Sequence, residues 1–136
     1  MTEFAKDKTW EHNSKALNCQ PYVFGKQCYR MDRCKDEVDV IITDSPLFLS
    51  VLYNNDKEIE PEFSQLVLKK FNEFNNINFF LTRRKEYSPK GRNQTKEEAE
   101  DLDARILSTL NNFEIPYSTI KGSIKNCKKI ISKVIK

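Results

Sequence analysis

Val38-Asp39-Val40-Ile41-Ile42-Thr43 runs straight into Asp44-Ser45-Pro46, and the reading of these residues decides the fold. The first six are mostly apolar, the pattern of a strand buried in a parallel sheet. An acidic residue at the carboxyl end of such a strand sits where open α/β sheets place their ligand chemistry. Asp44 is therefore the leading candidate for a functional carboxylate, with Ser45 beside it. A second apolar run, INFFLT at residues 77–82, reads as another largely buried strand. Both runs end in polar residues, so the sequence predicts one parallel sheet with Asp44 and Arg83 emerging at the same edge.

Helices fill the intervals. Pro21 suits a first helical turn, and Val23, Phe24, Cys28 and Met31 repeat at helical spacing towards Asp36. Gln27, Arg30 and Arg33 fall beside or opposite that stripe, and Gly25 weakens its first turn. Pro46 opens a short apolar helix, Leu47 to Tyr53, which Asn54-Asn55-Asp56 breaks. Phe63, Leu66, Val67, Phe71 and Phe74 mark a helix from Glu60 to Asn75. Thr95 and Glu98 form a capping box for a helix to about Asn112 that buries Ala99, Leu102, Ile106 and Leu110. Tyr117 to Ile120 reads as a third strand. Ser123 caps a last helix, apolar along Ile124, Cys127, Ile130, Ile131, Val134 and Ile135, with a solvated lysine face. This alternation predicts one α/β domain over residues 1–136, a three-layer sandwich with a small, mainly parallel sheet. Residues 1–16 read as irregular. Residues 83–94, RRKEYSPKGRNQ, read as a long basic, lid-like loop and the best place for ligand or partner contact.

Composition narrows the function classes. The chain has 136 residues and a net charge of +3, enough for one core and no strong demand for a nucleic-acid partner. Its 20 acidic residues argue against a broad basic face, so nucleic acid is not expected. No apolar run is long enough to span a membrane, and Met1-Thr2-Glu3-Phe4 leads into charge, so the expected location is the cytosol. Cys19, Cys28, Cys34 and Cys127 match no zinc or redox spacing and read as buried or half-buried thiols. His12 is the sole histidine, which makes triad catalysis a poor reading.

The segments YVFGKQ, VDVIITDSPL, INFFLTR and YSPKGRNQTKEEAEDLD resemble the phage-encoded AAA-type ATPase and nucleotide-kinase-like proteins of the P-loop superfamily. The resemblance covers roughly residues 3–120, and TEFAKDKTWE near the start resembles the segment after the second family strand. It is carried best by the TDSPL strand end and the Y-x-x-x-G-R-x-Q loop. It implies that Asp44 is a metal-facing acid or the base for an acceptor hydroxyl. Arg83, Arg84 and Arg92 would be lid arginines, and Gln27 and Arg30 would line the acceptor pocket. ATP and Mg²⁺ enter as cofactors through this resemblance alone. Each residue also has a plainer reading: Asp44 as a cap for the helix after Pro46, the arginines as surface charge, Gln27 as a backbone hydrogen-bonding group.

One departure is decisive for mechanism. The only glycines are Gly25, Gly91 and Gly122, and no G-x-x-x-x-G-K-[ST] occurs. By the resemblance, Met1 falls where the second family strand ends, so the expectation is an N-terminally truncated P-loop fold missing its first strand. Phosphoryl transfer rests on positioning and charge stabilisation, most of it supplied by that missing cradle. The expected function is thus a non-catalytic phage remnant acting as a binding or accessory module. Inhibition of a host defence protein fits by analogy. The alternative is a nucleotide-binding ATPase or kinase fragment, active only with a P-loop from another chain. A missing strand leaves apolar edges, so a protein partner or self-association is expected. A nucleotide or other phosphorylated ligand is the expected small-molecule class.

Overall fold

The computed structural model describes residues 18–82 and 96–134. They fall into two compact units that divide between Asn75 and Asn76. The first holds three helices: α1 (Gln20–Asp32), α2 (Leu49–Tyr53) and α3 (Glu62–Phe71). The second holds β1 (Phe79–Thr82), α4 (Lys96–Asn112), β2 (Ser118–Lys121) and α5 (Ile124–Val134).

In the first unit the core follows from spacing. Phe63, Val67 and Phe71 recur every four residues along α3 and are all buried. Phe24 of α1 meets Phe63 edge-on at 5.8 Å, and Phe48, just before α2, meets Phe71 at 5.5 Å. Each such pair adds about 0.5–1.5 kcal/mol beyond area burial. Leu66, expected in the same stripe, is 54% exposed on its flank. Helix α1 stops at Asp32, short of Asp36. Its chain continues as tight turns, with Cys34 N–H donating to the Met31 carbonyl and Glu37 N–H to that of Cys34. Lys70 ties the ends of α1 and α3 together, 3.2 Å from Asp32 Oδ1 and 2.8 Å from Glu73 Oε2. Ahead of α3, Glu60 accepts from Asn54 Nδ2 at 2.7 Å and from Ser64 Oγ at 2.5 Å.

Residues 38–43 overturn the expectation placed on them. They form no strand, and the sheet pairs residues 79–82 with 118–121 instead. A strand exists only beside a hydrogen-bonding neighbour, and among the described residues this segment has none. Asp44 therefore follows an irregular segment, bent at Asp39, rather than the end of a sheet strand.

In the second unit β1 and β2 run parallel, Phe79 opposite Ser118 and Thr82 opposite Lys121. A parallel pair needs a crossover, which α4 supplies. Ser118 N–H donates to Asn78 O at 2.9 Å and Gly122 N–H to Thr82 O at 3.1 Å, extending the ladder at both ends. A Cβ at Gly122 would lie 3.2 Å from the Thr82 carbonyl oxygen, which favours glycine there. Helix α4 closes with Glu114 in the left-handed region (φ 52°), Ile115 N–H on the Leu110 carbonyl and Glu114 N–H on that of Asn111. This is a Schellman closure, and its two apolar members, Leu110 and Ile115, are both buried. Ala99 is buried, and Leu102 and Ile106 are half-buried, along the expected face of α4. Thr95 of the expected capping box lies outside the described residues, as do residues 1–16 and the 83–94 loop. The chain is an α/β protein with a small parallel sheet. Among the described residues no helix is long and apolar enough to cross a membrane.

Candidate functional site

The turn after Thr43 is fastened to α1. Gln27 is 7% exposed, and its Nε2 donates to the Ser45 carbonyl at 2.9 Å, with Ser45 Oγ at 3.4 Å. Thr43 Oγ1 accepts from Ser45 N–H at 3.1 Å, and its hydroxyl also donates to the Ser45 carbonyl at 3.1 Å. These bonds bend residues 43–45 into a side-chain-closed turn, the local alternative that Thr and Ser offer the backbone. Pro46 then leads into α2, whose first turn is tight: Leu49 N–H donates to the Pro46 carbonyl at 3.1 Å.

A cavity of about 170 Å³ opens beside this turn, lined by Gln27, Arg30 and Met31 of α1 and by Ile41, Ile42, Thr43 and Ser45. Arg30 is the cation among these lining residues, and Thr43 and Ser45 contribute hydroxyls. Small-molecule sites usually enclose about 300–1,000 Å³, so this cavity suits a single phosphate- or carboxylate-sized group rather than a nucleotide. A guanidinium is well matched to such an anion.

Three of the sequence-predicted residues thus meet here: Gln27, Arg30 and Ser45. Asp44 sits between two lining residues and is itself exposed. It is not the cap of α2, because the N-cap position falls on Phe48 and no side chain bonds there. Gln27 has the plainer role foreseen for it, a hydrogen bond to backbone, and lines the cavity as well. Arg83, Arg84 and Arg92 lie outside the described residues. Sequence reasoning missed Thr43, Ile41 and Ile42 as lining groups; the Thr-x-Ser spacing was the signal for the turn.

Nearby, burial pushes the Cys28 thiol above the ordinary thiol range, and the Asp32 and Glu73 carboxylates push it the same way against Lys70. It is therefore no activated nucleophile, since the thiolate is the reactive form. Among the described residues no group of three His, Cys, Asp or Glu side chains could hold a metal. With no G-x-x-x-x-G-K-[ST] in the sequence either, the residues present do not fit ATP–Mg²⁺. A larger, shallow apolar hollow of about 440 Å³ lies between Pro21, Ile59, Phe63 and Leu66, edged by Glu58 and Glu62.

No curated protein and no solved structure matches this sequence. A family model described as an AAA domain matches residues 1–126, which include α1, the Asp44 turn and both strands. On that match, the chain belongs to the AAA domain family.

Proposed function

We propose that these 136 residues are a binding module on an AAA-type framework that does not transfer phosphoryl groups by itself. The observation that carries this is the lack of any glycine-rich phosphate cradle anywhere in the sequence. Backbone amides and a lysine from such a loop hold the β- and γ-phosphates in line. The cavity beside Arg30, Thr43 and Ser45 has room for one anionic group of phosphate or carboxylate size. The partner in this reading is another protein, met in the cytosol. A phage origin rests on the likeness of TDSPL and the Y-x-x-x-G-R-x-Q loop to phage-encoded proteins, and action on a host defence protein rests on analogy alone.

The test is turnover of ATP–Mg²⁺, with and without nucleoside acceptors, by the isolated protein. The expected rate is far below the roughly 10 s⁻¹ of ordinary enzymes. Turnover that Asp44→Asn abolishes would overturn the reading. The second reading, a fragment completed by another chain's P-loop, is favoured by the unpaired segment 38–43. Activity that appears only when a P-loop-bearing partner is added would establish it.

A further inference from the structure

Tyr22, Lys26, Tyr29 and, at the C-cap, Arg33 follow one another along α1 at i, i+4, i+7 and i+11. That spacing makes a single stripe, and it lies opposite the buried Gln20, Phe24 and Gln27. Tyr22 is 42% and Tyr29 62% exposed, and both cations are exposed as well. Lys26 Nζ stands over the Tyr22 ring at 5.7 Å, and the Arg33 guanidinium over the Tyr29 ring at 5.8 Å. Residues 18–31 hold no Asp or Glu, and among the described residues no carboxylate pairs with Lys26 or Arg33. Exposed tyrosine and arginine are side chains that protein interfaces favour.

Such a stripe calls for an acidic counterpart with apolar ground for the rings, and the same unit carries one. The hollow between Pro21, Ile59, Phe63 and Leu66 is apolar, with Leu66 54% exposed. Glu58 and Glu62 edge it, both are exposed, and among the described residues no cation pairs with either. Lys57, next to Glu58, does not line it. Asp32 and Glu73 are already held by Lys70. The stripe of α1 laid on another α1 would set cation against cation, which opposes association. Laid in the hollow, it sets cations beside carboxylates and tyrosine rings over Leu66 and Ile59. Pro21 lines the hollow and Tyr22 begins the stripe, so the two patches adjoin. Each copy can then give its stripe to the other's hollow, a self-complementary contact that closes as a two-fold pair. A second copy thus supplies both complements at once.

We infer that two copies of this chain pair about a two-fold axis, the α1 stripe of each seated in the acid-edged hollow of the other. This goes beyond the binding-module reading and does not depend on it. The tyrosines are the anchors, and rings already held by a cation have less freedom to lose on docking. The charges fix orientation and make the pair sensitive to salt.

Sedimentation equilibrium of the full chain, at concentrations up to about 1 mM, should give twice the monomer mass. Salt at about 1 M should weaken the pair. Lys26→Glu with Arg33→Glu, and separately Glu58→Lys with Glu62→Lys, should each raise the dissociation constant about tenfold or more. Mixed one to one, these two variants should pair again, because every stripe then meets a hollow of opposite sign. Recovery on mixing also rules out misfolding as the cause of either loss. Tyr29→Ala, at an exposed position, should weaken the pair with no loss of helix by circular dichroism. Asp36→Lys with Glu37→Lys, acids that do not edge the hollow, should leave it intact. A monomer at every concentration, mixing that restores nothing, or a pair that dissolves on changing Asp36 and Glu37 but not Glu58 and Glu62 would overturn the proposal. None of these failures touches the non-catalytic reading, which ATP turnover alone decides.

Discussion

Gln27 reaches the Ser45 carbonyl, 18 residues further along the chain, with its Nε2 at 2.9 Å. This one amide fixes where the Asp44 turn stands against α1, and so shapes the small cavity between them. Gln27→Leu should cost about 1–3 kcal/mol, because the carbonyl loses a partner in a partly dry place. Urea denaturation measures the loss, and amide exchange should quicken at Ser45. Unchanged stability and exchange would mean that Thr43 alone holds the turn.

Lys70 makes stability depend on alkaline pH. Hydrogen bonds to Glu73 and then to Asp32 hold its ammonium above the ordinary lysine range. A raised lysine contributes stability that is complete below the unfolded pKa of about 10.4 and is lost as pH rises through the folded value. Wild type should therefore lose denaturation midpoint above about pH 10. Lys70→Met should start lower at neutral pH and fall less over that alkaline window. Parallel pH profiles for the two proteins would remove Lys70 from the clasp.

The thiols should separate by reactivity. Cys19 and Cys127 are exposed, whereas Cys28 is half-buried with its thiol pushed upward by burial and by Asp32. Iodoacetamide at neutral pH should label Cys19 and Cys127 well before Cys28. Mass spectrometry of the labelled peptides gives the order, and early labelling of Cys28 would contradict the packing of α1 on α3.

Two backbone positions invite stabilising changes. Glu114 holds φ 52° at the end of α4, a conformation that costs an L-residue about 1–2 kcal/mol. Glu114→Gly should raise stability by about 1 kcal/mol, since glycine populates that region freely. Gly25 sits inside α1, and a Cβ there meets nothing within 4 Å. Gly25→Ala should add about 0.5–1 kcal/mol. Thermal melts of the two variants check both figures, and a lower midpoint for Gly25→Ala would show that the position is more crowded than its surroundings indicate.

The positions of the helices were legible because their signals are local. Phe63, Val67 and Phe71 announce α3 by spacing alone, and Pro21 marks the start of α1. Helix hydrogen bonds close within four residues, so a short window of sequence contains most of what decides them. The run 77–82 and the segment after Pro116 were legible as strands too, with β2 shifted to Ser118–Lys121. Within the site, Gln27, Arg30 and Ser45 were legible as residue types that carry chemistry, but Thr43 was not.

What the residues alone determined is therefore the α/β alternation, the positions of the helices, and that these 136 residues contain no G-x-x-x-x-G-K-[ST]. Tertiary structure decided which apolar runs became strands. Val38–Thr43 has a strand's composition, yet a strand's hydrogen bonds are made with another segment, and β1 found that segment in β2. Tertiary structure also buried Gln27 and left Leu66 bare, because burial depends on which neighbour a helix face meets rather than on the face itself.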